Sequence, residues 1–156
     1  MLLFKGIFSG IIATILFDVF NYVISYAYSI EKPKWNLVGR YFLGYKNNVY
    51  IRTNINDDVE ENNELFFGYL IHYLIGIIYG IFYVLLNYIL FDYPSILLAY
   101  IIGFLTVLGS WCFMMPFAYN LGFFASKNEK RFILMTQNLI AHFVFGTGLF
   151  IGYYIL

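Results

Sequence analysis

Apolar residues run in four blocks along this chain, at about residues 6–29, 65–91, 95–121 and 133–156. None of the blocks holds more than one charged or histidine side chain. At about 1.5 Å per residue, a helix over any of them is long enough to cross a hydrocarbon core about 30 Å thick. Charge is gathered elsewhere: of the 18 Asp, Glu, Lys and Arg residues, all but Lys5, Asp18 and Asp92 lie in Glu31–Glu64 or Lys127–Arg131. The pattern predicts an all-α protein, a four-transmembrane-helix bundle forming a single integral membrane domain over residues 1–156. The second and third spans are joined by the tight turn Phe91-Asp92-Tyr93-Pro94-Ser95, where Pro94 suits a helix start. The connection 30–64 is longer and has two parts. Trp35, Val38, Phe42 and Tyr45 recur at helical spacing with Arg40 and Lys46 off that face, which predicts a short amphipathic helix in the membrane interface. Beyond it, Asn54 to Glu64 is acidic and predicts a solvated loop.

Basic residues set the expected orientation. Connection 30–64 holds Lys32, Lys34, Arg40, Lys46 and Arg52, and connection 122–132 holds Lys127, Lys130 and Arg131. The turn between them has none, and the N-terminal side has only Lys5. The positive-inside rule places both basic connections in the cytoplasm and both termini on the outer side of a bacterial inner membrane. Lys5 before an apolar run resembles a secretory signal. The run continues past Asp18 to Ile30 without a cleavage-like stretch, so a retained first helix is expected.

With 62% hydrophobic and 12% charged residues, the chain expects lipid as its main partner. A net charge of zero supplies no field for nucleic acid. The single cysteine, Cys112, has no partner within the chain for a disulfide. Gly6-xxx-Gly10, Gly76-xxx-Gly80 and Gly148-xxx-Gly152 let backbones approach closely and offer faces for a homodimer.

Ionisable side chains within spans cost a few kcal/mol each on insertion scales and therefore need partners. Here they are Asp18, His72 and His142. Counting rises from one membrane face puts both histidines roughly 10–14 Å deep and Asp18 roughly 16–18 Å deep. Each shares a helix face with small or polar residues: Gly10, Thr14 and Asn21 around Asp18, Gly68 and Gly76 around His72, Asn138 and Gly146 around His142. His72-Tyr73-Leu74-Ile75-Gly76 also matches His142-Phe143-Val144-Phe145-Gly146 as a weak internal repeat. Asp18, His72, His142 and Asn138 are the candidate intramembrane polar cluster. Trp35 and Arg40 are the candidate interfacial anchor.

Three readings of the cluster stay open. It can be a buried polar latch that fixes helix rotation. His72 and His142 can hold a metal or a haem, with Met114 and Met115 favouring copper. A carboxylate with two imidazoles can also relay protons or ions in a transport role. Catalysis has less support, because the chain has no His-Glu-x-x-His, no Gly-x-Ser-x-Gly, no phosphate-binding glycine loop and no cysteine pair. A non-enzymatic transport or membrane-accessory role is expected, with an electron-transfer haem or metal protein, or a purely structural subunit, as alternatives.

The order Phe17-Asp18, Trp35-Asn36-Leu37-Val38-Gly39-Arg40 and Gly68 to Gly76 with His72 resembles the prokaryotic membrane family known as domain of unknown function 2938. The likeness continues through Met114 to Pro116, Gly122 to Ser126, Arg131, Asn138 and His142 to Leu149, nearly the whole chain. It implies a small multi-pass inner-membrane protein with no assigned activity. Asp18, Arg40, His72, Asn138 and His142 match the family pattern. Met115 stands where the family tends to have Gln, and Asn120-Leu121-Gly122 where it tends to have Gly-x-Gly. A copper site built on Met115 would therefore not be a family property.

Overall fold

The computed structural model describes residues 1–156, apart from the side chain of Asn47. The fold is all-α. In chain order it comprises α1 (Leu2–Tyr28), α2 (Trp35–Leu43), α3 (Glu64–Leu90), α4 (Ile96–Gly109) and α5 (Arg131–Tyr154). A 3₁₀ turn (Gly44–Asn47) follows α2, and a π-helix (Ser110–Ala118) continues α4. Four helical stretches, Leu2–Tyr28, Glu64–Leu90, Ile96–Ala118 and Arg131–Tyr154, are long and apolar enough to cross a membrane. No more than 33% of the apolar window in any of them is buried inside the protein. Val19, Val23, Ile78, Phe82, Leu97 and Leu105 are all exposed. Continuous apolar faces of this extent require lipid rather than water. The chain is a multi-pass membrane protein.

The third span departs from the uniform helix expected over 95–121. Pro116 lies inside it, and in an α-helix its ring would clash with the carbonyl four residues earlier and remove one backbone donor. The chain widens to a π-helix there. The Tyr119 amide reaches back five residues to the Met114 carbonyl (3.0 Å), and the Leu121 amide six residues to Met115 (2.8 Å). The helix then stops at Ala118. At the other end the N-cap is Ser95, whose Oγ accepts from the Leu98 amide (3.3 Å), so Pro94 lies just outside the helix. Asn87 ties this turn to the end of α3 by donating to the Tyr93 carbonyl (2.9 Å) and accepting from the Ser95 amide (2.7 Å).

The chain packs as two compact units. The first comprises Met1–Lys32, Tyr73–Thr106 and Leu139–Leu156, and takes segments of α1, α3, α4 and α5. Glycine contacts set its helix crossings. A Cβ on Gly10 would run into the Gly76 carbonyl, and one on Gly80 into Gly6 and Gly10. Gly148 lies against Ala13 and Gly152 against Ser9, while Ser9 Oγ donates to the Leu149 carbonyl (2.6 Å). All three GxxxG pairs therefore make helix contacts within the chain.

The second unit comprises Pro33–His72 and Val107–Asn138. Its core is Leu37, Tyr41, Ile55 and Ala118, with Phe42, Tyr45, Met114 and Tyr119 packed around it. The helix expected on the interface does form as α2. Its five consecutive residues Leu37 to Tyr41 are all buried within the protein.

Candidate functional site

In the first unit the site is built around His142 on α5. The glycines at 103 and 146 bring α4 and α5 together, and a Cβ on Gly103 would strike the His142 carbonyl. That approach sets Thr106 Oγ1 2.8 Å from His142 Nδ1. The same hydroxyl donates to the Gly103 carbonyl at 2.6 Å. A threonine hydroxyl has one hydrogen. With that hydrogen on Gly103, Thr106 accepts from the ring, so Nδ1 is the donor of this bond. The ring is partly buried, and Phe17 of α1 meets it edge-on at a centroid distance of 5.2 Å.

Asp18 follows Phe17 on α1 and is also partly buried, so Asp18 and His142 belong to the same unit. Other members of the polar stripe on α1 are satisfied by their own helix. Thr14 Oγ1 donates to the Gly10 carbonyl (2.8 Å) and Asn21 Nδ2 to the Phe17 carbonyl (3.0 Å). Hydroxyl and amide side chains that bond back to the preceding turn lower the cost of burying themselves in lipid.

The second unit holds the other candidates. His72 on α3 stacks on Trp35 of α2, with centroids 3.7 Å apart and planes 20° from parallel. Asn138 lies at the α5 end of this unit, with its Oδ1 buried and unbonded. Among the described residues no three His, Cys, Asp or Glu side chains gather as a metal-ion site.

Arg40, the candidate anchor, is enclosed by protein. It is 3% exposed. Its guanidinium forms a two-point pair with Glu64, from Nε to Oε2 at 2.7 Å and from Nη2 to Oε1 at 2.8 Å. Nη1 donates to the Ile55 and Asp58 carbonyls (3.1 and 3.2 Å). With its donors directed at protein oxygens, Arg40 is not placed to hold a lipid phosphate. The Glu64 hydrogen bond pushes the Arg40 pKa above its ordinary value and outweighs the opposing effect of burial, so the buried guanidinium stays charged.

The Trp35-to-Arg40 motif is thus a set of contacts to the start of α3. Trp35 covers His72, Asn36 Nδ2 donates to Glu64 Oε1 (3.1 Å), Leu37 and Val38 are buried, and Gly39 abuts the Glu64 carbonyl. A Cβ on Gly68 would in turn strike the Trp35 carbonyl. Only glycine at both places allows this approach.

Arg52 completes the arrangement. It is 8% exposed, pairs through Nη1 with Asp58, and donates from Nη2 to the Arg40 carbonyl (3.1 Å). The stretch 54–64 is mostly exposed, as expected of a solvated loop, but Ile55 is fully buried and anchors it in the core of this unit. The two buried arginines require the carboxylates and carbonyls that this stretch supplies. Sequence reasoning missed Glu64, Asp58 and Arg52 as partners of Arg40, and Thr106 as the partner of His142. A signal for the first was present, since an acidic residue opening a span next to a basic interfacial helix invites pairing.

The family model described as "Protein of unknown function (DUF2938)" matches residues 7–156, and the chain belongs to that family. No curated protein and no solved structure matches it.

Proposed function

We propose that this member of the family is a non-enzymatic, multi-pass protein of the bacterial cytoplasmic membrane that moves protons through an intramembrane Asp18/His142 pair. Both basic connections would face the cytoplasm and both termini the outside, following the distribution of Lys and Arg. The observation that carries the reading is the hydrogen-bond chain from His142 Nδ1 through Thr106 Oγ1 to the Gly103 carbonyl. In the neutral ring this bond would select the Nδ1–H tautomer and make Nε2 the basic nitrogen. A proton arriving there converts the ring to imidazolium, whose Nδ1–H bond to Thr106 strengthens with the charge. Asp18, on the helix whose Phe17 touches the ring, supplies a carboxylate in the same unit to balance that charge. His72, stacked on Trp35 in the other unit, has no step in this scheme.

The test is proton flux into liposomes that carry the purified protein and an internal pH-sensitive dye, driven by a potassium diffusion potential. Flux above that of empty liposomes is expected for the native chain. Asp18→Asn and His142→Gln should abolish it while the protein stays folded and monodisperse. Native flux equal to that of empty liposomes would refute the reading. Unfolding of both variants would assign the pair to packing.

A further inference from the structure

We infer that the loop after α2 carries a binding site for a phosphoethanolamine group, supplied by a zwitterionic phospholipid. The loop forms a cavity of about 330 Å³ lined by Val49, Ile51, Arg52, Thr53, Asn54, Asp57 and Asp58. That volume is at the small end of ligand sites, which run from about 300 Å³ upward. Its chemistry is two-signed. Arg52 is more than nine-tenths buried, and its Nε–H has no acceptor in the protein although both terminal nitrogens are engaged. A buried guanidinium donor without a partner favours an anionic oxygen that can supply one. Asp58 already pairs with Arg52, which leaves Asp57 as the surplus negative charge of the lining. Asp57 is exposed, and the one hydrogen bond it accepts here is from Asn54 Nδ2 (2.7 Å). A ligand that fits brings a phosphate oxygen for Arg52 and a primary ammonium, with three N–H donors, for Asp57.

The charge balance discriminates among head groups. A phosphate without a cation meets two carboxylates against one guanidinium and is repelled. A trimethylammonium carries the charge but has no N–H to donate. Phosphoethanolamine satisfies both ends. Lipid is the favoured source because the cavity sits in a connection between two membrane-spanning helices. Ile51, which lines the cavity, is 70% exposed and Tyr50, next to it in the chain, 55% exposed, a surface that acyl chains would cover.

The experiment is native mass spectrometry of the delipidated full chain in detergent, titrated with short-chain phosphatidylethanolamine, phosphatidylcholine and phosphatidylglycerol, and with soluble glycerophosphoethanolamine. Phosphatidylethanolamine is expected to bind at least fivefold more tightly than the other two lipids. Asp57→Asn, at an exposed position, should erase that preference without changing the melting temperature. Equal binding of the three lipids, or a preference that survives Asp57→Asn, would overturn the site. Glycerophosphoethanolamine binding as tightly as the lipid would overturn the lipid source. Because the readout is binding alone, this outcome is separate from the proton-flux result.

Discussion

Replacing Arg40 by methionine removes the most heavily engaged charged side chain in the protein. The substitution keeps much of the aliphatic volume and deletes a guanidinium that makes two charge-assisted bonds to Glu64 and two bonds to loop carbonyls. Both partners are shielded, with side-chain exposures of 4% for Arg40 and 12% for Glu64. Breaking a buried pair from one side typically costs about 3–5 kcal/mol, since the partner is left charged and desolvated. Exposed pairs are worth about 0–1 kcal/mol. Glu64→Gln retains one carbonyl acceptor and should cost less, about 1.5–3 kcal/mol, the range of a hydrogen bond to a charged group. The discriminating variant is Arg40→Met/Glu64→Leu, in which no buried charge is left alone. It should recover much of the loss, with a coupling energy of about 2 kcal/mol or more in the double-mutant cycle. The assay is equilibrium unfolding in mixed detergent micelles, followed by tryptophan fluorescence, since Trp35 begins the helix that would detach. A coupling energy below about 0.5 kcal/mol would place the pair in the surface class and refute the argument.

Three further outcomes follow from the same contacts. Gly10→Leu should separate α1 from α3, because the new side chain has only the Gly76 and Ile77 backbone to enter; folded yield after size exclusion should fall severely, and unchanged yield would contradict the crossing. Thr106→Val should cost about 1–3 kcal/mol by stranding the His142 Nδ1–H and should lower proton flux, whereas Thr106→Ser should preserve both. Elemental analysis of the purified chain should find iron, copper and zinc at background; near-stoichiometric metal that disappears in His72→Ala and His142→Ala would replace the relay with a haem or metal role.

The four spans were legible because lipid imposes a simple rule: a segment that cannot hydrogen-bond to its surroundings must be a long apolar helix, and charge must collect in the connections. Glycine spacing likewise announced that backbones would meet. It did not say which: Gly6 and Gly10 find α3, while Gly148 and Gly152 find α1. The residues of the polar cluster could be named from composition alone, since any ionisable group in a span stands out. Their partners are set by helix rotation and by contacts between residues far apart in sequence, and no local pattern encodes those.

Arg40 illustrates the division. Its place on an amphipathic stretch near a membrane suggests an anchor, and a basic residue at an interface commonly is one. Only packing reveals that Gly39 and Gly68 draw α2 against the start of α3, leaving the guanidinium no water and Glu64 as its counter-charge. The stretch 54–64 shows the same division: its acidic composition predicts the exposure that most of it has, while Ile55 and the contacts of Asp58 and Glu64 with two buried arginines are set by packing. By itself the sequence determined which segments enter lipid and which side chains are out of place there. Tertiary structure alone decided their partners, because desolvating a charge forces it to find an opposite charge or a hydrogen-bonding group wherever the fold brings one near.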